Sequence, residues 1–158
     1  MNTRLWLTRT VITLSLFVLT TGVSPAQTRS TLRNDFGIEL LGKGYIYTFS
    51  YQHLIHPSIG LQASLMGLGG NGGGILILPV GGNLYVSPND ASPFFTVGIG
   101  YVSGIDDDDF IGSGSYVYVG PGFEYRSTSG LLFRATGYLL FAGDGFITWP
   151  GLHVGYAF

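Results

Sequence analysis

The stretch Thr148-Trp149-Pro150-Gly151-Leu152-His153-Val154-Gly155-Tyr156-Ala157-Phe158 sorts its side chains by parity. Pro150, Leu152, Val154, Tyr156 and Phe158 make one set; Trp149, Gly151, His153, Gly155 and Ala157 make the other. Successive side chains of an extended strand point to opposite faces, so this reads as a strand with one bulky apolar face and one small or polar face. The sorting recurs upstream. Residues 131–141 set Leu131, Phe133, Ala135, Leu139 and Phe141 against Leu132, Arg134, Thr136 and Tyr138. Residues 45–54 set Tyr45, Tyr47, Phe49 and Tyr51 against Ile46, Thr48, Ser50 and Gln52. Across the chain, segments 36–41, 45–54, 59–67, 75–86, 94–102, 115–126, 131–141 and 148–158 alternate between glycine-rich or polar breaks, which predicts eight strands.

A soluble β-sandwich shows the same two-residue period, and composition separates the two. A sheet in water carries Lys, Glu, Asp and Arg on its wet face; here that face is largely Gly, Ser, Thr, Tyr and Gln. Only 10% of the 158 residues are charged, against roughly 25% in a soluble domain. The 26 glycines exclude a helical bundle, because each costs a helix interior about 1 kcal/mol. A 46% hydrophobic content with a net charge of −2 excludes disorder. Mean hydropathy is +0.36, yet there is no apolar run of the roughly 18 residues a spanning helix needs. Small residues suit the inside of a narrow barrel, and the bulky face then meets lipid, with Tyr and Phe near strand ends as interface girdles. The expected fold is all-β: an antiparallel up-and-down transmembrane β-barrel of about eight strands, in one domain over residues 35–158.

Residues 1–26 read as a cleaved secretory signal peptide. Arg4 and Arg9 precede an apolar core from Val11 to Leu19, and Ser24-Pro25-Ala26 offers small residues before a cut at Gln27. Residues 27–34 follow as a polar leader. Removing 1–26 leaves five basic against nine acidic residues, so there is no basic footprint for nucleic acid. Working back from Phe158 as a periplasmic end places 127–130, 87–93 and 55–58 as periplasmic turns, and 143–146, 104–114 and 67–74 as external loops. The parity closes if 36–41 is a separate strand turning at Gly42-Lys43-Gly44, and the apolar face does switch from even to odd numbers there.

The signal, the eight segments and the terminal Leu152-His153-Val154-Gly155-Tyr156-Ala157-Phe158 together resemble small bacterial outer-membrane β-barrels of the OmpA-, OmpX- and OmpW-like eight-stranded group. Tyr156 and Phe158 look like the C-terminal aromatic signal read by the outer-membrane insertion machinery. The resemblance implies a bacterial (Gram-negative-type) outer-membrane location, with membrane lipid, lipopolysaccharide and the insertion machinery as partners. It carries over no catalytic residue and no cofactor.

A few residues invite chemistry. Glu124 and Arg134 share the inward parity and lie opposite each other if the intervening turn is tipped by 128–130. A lumen ion pair is expected, with a proton relay as the functional alternative. Tyr116, Tyr118, Tyr138 and His153 share that face and are expected to line the same lumen, the tyrosines offering hydroxyl partners. His53, His56 and Ser58 echo small-barrel lipid A deacylases, but fall near a periplasmic turn; the three histidines have no zinc-site spacing. Asp106, Asp107, Asp108 and Asp109 form an acidic external loop that either collects divalent cations or simply keeps a loop tip solvated. The glycines of 69–74 lack the Lys-Ser/Thr of a phosphate loop. Pro79 and Pro121 interrupt strand segments, where bulges are expected.

The leading functional expectation is a structural or interaction protein of the outer membrane, without open pore or enzymatic activity. The alternative is a binder or conduit for a small apolar molecule, if the inward glycines Gly60, Gly98, Gly100, Gly120 and Gly122 leave a cavity. An acyl-chain enzyme acting on lipid A comes third. The composition makes a direct prediction: in detergent, the unboiled protein should run faster on an SDS gel than the boiled one. Identical migration, with a mature chain soluble without detergent, would rule out a membrane barrel.

Overall fold

The computed structural model describes residues 28–70, 73–104, 113–143 and 145–158. The signal segment and the Asp106, Asp107, Asp108, Asp109 run lie outside the described residues. A one-turn helix α1 (Thr28–Thr31) leads into β1 (Asn34–Leu41) and a 3-10 turn (Gly42–Gly44). Then follow β2 (Tyr47–His56), β3 (Ile59–Gly70), β4 (Gly73–Tyr85), β5 (Ala91–Gly104), β6 (Gly114–Arg126), β7 (Leu131–Ala142) and β8 (Gly145–Ala157). Each strand pairs antiparallel with the next, and β1 pairs with β8, so the eight close into a barrel. The leader expected over 27–34 is thus partly helix, and Asn34 already belongs to β1.

Closure settles which face is which. Phe36, Ile38 and Leu40 of β1, Phe49 and Tyr51 of β2, and Leu152, Val154 and Tyr156 of β8 are all exposed. Their inward neighbours Thr48, Ser50, Gln52 and His153 are buried. This is a soluble protein turned inside out. An apolar surface wrapped around the whole girth far exceeds the few hundred Å² a monomer exposes to water, and it fits lipid. Phe36 and Phe49 even stack across strands, with ring centroids 6.4 Å apart.

The switch from even to odd outward numbering occurs at the β1–β2 connection. Leu41, Gly42 and Tyr45 take positive φ values of 59°, 70° and 67°, and the Tyr45 amide donates to the Gly42 carbonyl at 3.1 Å. This tight reversal delays β2 to Tyr47, two residues later than the alternation alone indicates. Elsewhere the strands outrun their sequence patterns. β3 and β4 stay paired as far as Gly69↔Gly74 and Gly70↔Gly73, because pairing with a neighbour, not local propensity, decides how far a strand continues.

The prolines do not create the expected bulges. β4 keeps one register with β3 on both sides of Pro79, and β6 keeps one register with β7 on both sides of Pro121. Each ladder skips the positions around the proline on one side only, while Pro79 still pairs with Gly100 and Pro121 with Phe95 on the other. A proline whose missing N–H falls on a single ladder removes that donor without inserting a residue. The register shift lies instead at Leu54/His56, beside the β2–β3 turn.

The inward glycines are spaces already filled. A Cβ on Gly100 would collide with the Tyr116 ring, and one on Gly98 with the Tyr118 ring. Phe94 occupies the space at Gly122, Gln52 and Leu54 that at Gly60, and the Gly137 carbonyl crowds Gly120. Replacing Gly100 with Val should therefore cost about 1–3 kcal/mol by overpacking. Gly137→Ala, whose Cβ meets nothing within 4 Å, should cost less than about 0.5 kcal/mol. Urea unfolding in detergent micelles, followed by loss of the fast-migrating form, compares the two; equal midpoints would contradict the packing argument.

Candidate functional site

The lumen is the place where this chain concentrates chemistry, and it is layered along the barrel axis. At the end where Asn34 and Phe158 meet, a charged layer combines three guanidiniums with two carboxylates. Glu124 and Arg134 face each other across β6–β7, and Arg134 Nε donates to Glu124 Oε2. Arg134 Nη2 also reaches Asp35 Oδ2 at 2.6 Å, as does Arg126 Nη2 at 2.6 Å. Arg126 Nε lies 3.2 Å from Glu124 Oε1. The fifth member comes from outside the strands: Arg29 of α1 projects into the barrel, with Nη2 2.9 Å from Glu124 Oε1. Its guanidinium carbon sits 3.9 Å from the centre of the Tyr85 ring, and its Nε donates to the Asn89 carbonyl at 2.8 Å. Burial lowers the pKa of Arg29 from its ordinary value, while the Glu124 carboxylate pulls it back up.

A layer of neutral hydrogen bonds stands above. Tyr85 donates its hydroxyl to Glu124 Oε2 at 2.6 Å, and Gln52 Nε2 donates to that hydroxyl at 2.9 Å. Asn83 donates to Gln52, and Ser50 and Ser64 bridge at 2.8 Å. Next comes a second ion pair. Lys43, on the 3-10 turn at the far end, folds back into the lumen and places Nζ 2.7 Å from Glu39 Oε2. Tyr138 donates to Glu39 Oε1 at 2.6 Å, and Tyr116 donates to the Lys43 carbonyl. The Tyr116, Tyr118 and Tyr138 rings pack with Met66, Ile77 and Leu140 around this pair.

Each residue singled out from the sequence can now be placed. Glu124, Arg134, Tyr116, Tyr118, Tyr138 and His153 are all buried on the inward face. The tyrosines do not serve the Glu124 ion pair; that hydroxyl comes from Tyr85, and Tyr116 and Tyr138 belong to the Lys43–Glu39 layer instead. His153 stands between Arg134 of β7 and Glu39 of β1 in register. His53 is exposed at the turn end, with Nδ1 2.8 Å from Asn34 Oδ1. His56 Nδ1 accepts from the Ser58 amide at 3.2 Å, and Glu124 is engaged with arginines rather than with these two. Tyr156 and Phe158 are exposed on the outward face. Among the described residues no cluster of three or more His, Cys, Asp or Glu is arranged to hold a metal.

Sequence reading passed over Asp35, Glu39, Tyr85 and Arg126, although each carries the inward parity of its strand. It had no means of finding Arg29 and Lys43, which enter the lumen from a helix turn and a 3-10 turn where strand parity does not apply.

The fold is that of small outer-membrane β-barrels. The N-terminal β-barrel domain of Pseudomonas aeruginosa OprF superimposes with a TM-score of 0.54 at 16% identity, over 79% of this chain and 94% of that one. The Yersinia pestis outer membrane protein Ail, solved in a phospholipid bilayer nanodisc, gives a TM-score of 0.50 at 14% identity, over 79% of this chain and 97% of that one. No family model matches the chain, and no curated protein matches it.

The arginines of the charged layer differ in how many carboxylates they join, which predicts unequal effects along it. Of the carboxylates Arg29 reaches only Glu124, which Arg126 and Arg134 also hold, so Arg29→Ala should cost about 1 kcal/mol or less. Arg134 bridges Asp35 and Glu124, so Arg134→Ala, like Glu124→Ala, strips a buried partner from the rest and should cost about 3–5 kcal/mol. Urea midpoints for the three variants provide the check; an Arg29→Ala loss as large as that of Arg134→Ala would contradict the bridging argument.

Proposed function

We propose that this protein is an integral barrel of the bacterial outer membrane, with a structural or interaction role exercised at its ends rather than through its lumen. The observation that carries the reading is the filled interior. Charged, amide and aromatic layers follow one another along the axis, and Arg29 and Lys43 close the column from opposite ends. Eight strands leave room for side chains and not for a water column. The girth of exposed aliphatic and aromatic residues supports membrane lipid as the surroundings.

The longest connection between strands, residues 105–113, lies at the end opposite Asn34 and Phe158, which supports that end as external and the Asn34 end as periplasmic. In that orientation the Asp106, Asp107, Asp108 and Asp109 run belongs to an external loop, on the side where lipopolysaccharide lies. Residues 1–26 direct export and are removed, and Tyr156 and Phe158 address the chain to the insertion machinery. The Glu124–Arg134 pair is a structural member of the plug. The lumen arrangement offers no support for a conduit, and the separation of Glu124 from His56 and Ser58 speaks against acyl-chain chemistry. In planar bilayers the purified protein should produce no ohmic current steps, and lipid A from cells with and without it should carry the same acyl chains. Stable stepwise conductance would overturn the plugged-barrel reading, and an altered acylation pattern the non-enzymatic one.

A further inference from the structure

The lumen changes character near the external end. Toward the turn end its inward positions are Asn83, Gln62, Ser64, Thr96 and the charged layer. At the other end they turn aliphatic and enclose an open cavity of about 480 Å³. Met66, Ile77 and Tyr116, all nearly fully buried, lie deepest; Leu68, Ile75 and Val102 form walls nearer the mouth. The cavity does not arise from the inward glycines of the mid-strands, which ring and amide groups fill. It arises because Leu68, Ile75 and Val102, inward residues near the ends of β3, β4 and β5, are apolar where an aqueous mouth calls for polar ones. Leu68 remains 49% exposed although its strand parity points it inward, away from lipid. Concave apolar surface of this size, held open by a rigid barrel, is the usual form of a small-molecule site, for which about 300–1,000 Å³ is typical.

The surrounding polar groups restrict what can sit there. Lys43, the cation just beneath, is already committed to Glu39, and the Tyr116 hydroxyl to the Lys43 carbonyl. Among the described lining residues the other polar side chains are the hydroxyl groups of Tyr45 and Ser115. Among the described lining residues a carboxylate or ammonium ligand would find no counter-charge to replace its lost hydration. We infer that the external mouth of the barrel binds one uncharged, mainly apolar small molecule, of the size of a medium-length alkyl alcohol, which enters from the aqueous side and is not passed onward. The inference goes beyond the plugged-barrel reading and depends on it only for the closed floor.

Trp149 provides the readout, since its Nε1 donates to the carbonyl of Tyr45, a lining residue, at 3.2 Å. After removal of residues 1–26 Trp149 is the single tryptophan. The mature chain, folded into lipid nanodiscs, is titrated with 11-bromo-1-undecanol, whose bromine quenches indole fluorescence at contact distance. Quenching should saturate, and the L68Q/I75Q variant should raise the half-saturating concentration at least tenfold. The outward-facing L76Q variant should leave it unchanged. An unboiled-gel shift for each variant confirms that it is folded, whatever its quenching. Linear, unsaturating quenching, or equal half-saturation in the L68Q/I75Q variant, would overturn the site. Full quenching by brominated bilayer lipid without added probe would identify the occupant as membrane lipid and equally overturn it. Any of these results leaves the conductance and gel-shift tests of the barrel itself untouched.

Discussion

Lipid offers no hydrogen bonds, so a backbone amide or carbonyl that faces it must find its partner within the protein. In this chain everything else follows from meeting that demand by pairing β1 with β8. The closed sheet has no edge, its outward side must be apolar over the full girth, and its inward side is confined to a narrow column. The column is too narrow for bulk water and too polar to be left empty. Inward charges therefore find their partners in other inward groups or in a segment reaching in from an end.

The unusual charge economy is a result of that confinement. Of the five basic residues after position 26, Arg29, Lys43, Arg126 and Arg134 are buried in the lumen and only Arg33 is left outside. Three acids, Asp35, Glu39 and Glu124, are buried with them. A soluble domain spends its charges on solubility; here lipid removes that need, and charge is used to join strands that are distant around the barrel. Asp35 on β1 receives arginines from β6 and β7, so one carboxylate ties the closing seam to the opposite wall. Such a pair replaces hydration lost on burial rather than adding stability in proportion to its number of contacts.

Parity made the barrel legible, because a two-residue period survives whatever the side chains do next. It located Glu124 opposite Arg134 and the inward tyrosines, all within strands where the period runs uninterrupted. It failed wherever the chain leaves the strand geometry. The 3-10 turn that carries Lys43 and the helix turn that carries Arg29 have other periods, and their side chains enter the lumen axially rather than from a wall. Depth along the axis was also hidden. Tyr116 and Glu124 share a strand face yet belong to different layers, a distinction that depends on register around the whole barrel. The inward glycines pointed to empty space, when the neighbouring tyrosine rings had already taken it.

The meeting of Asn34 with Phe158, through two backbone hydrogen bonds of 2.9 and 2.8 Å, has a kinetic side. Seven of the eight strand pairings are hairpins between consecutive strands, each closing a short loop of chain at little entropic cost. The eighth joins residues 124 positions apart and carries nearly all the non-locality of the topology. Folding of this molecule is thus a run of local zippers awaiting one clasp, and non-local pairings of that kind are the slow ones. Until the clasp shuts, β1 and β8 each present an unpaired edge, open to any strand able to pair with it.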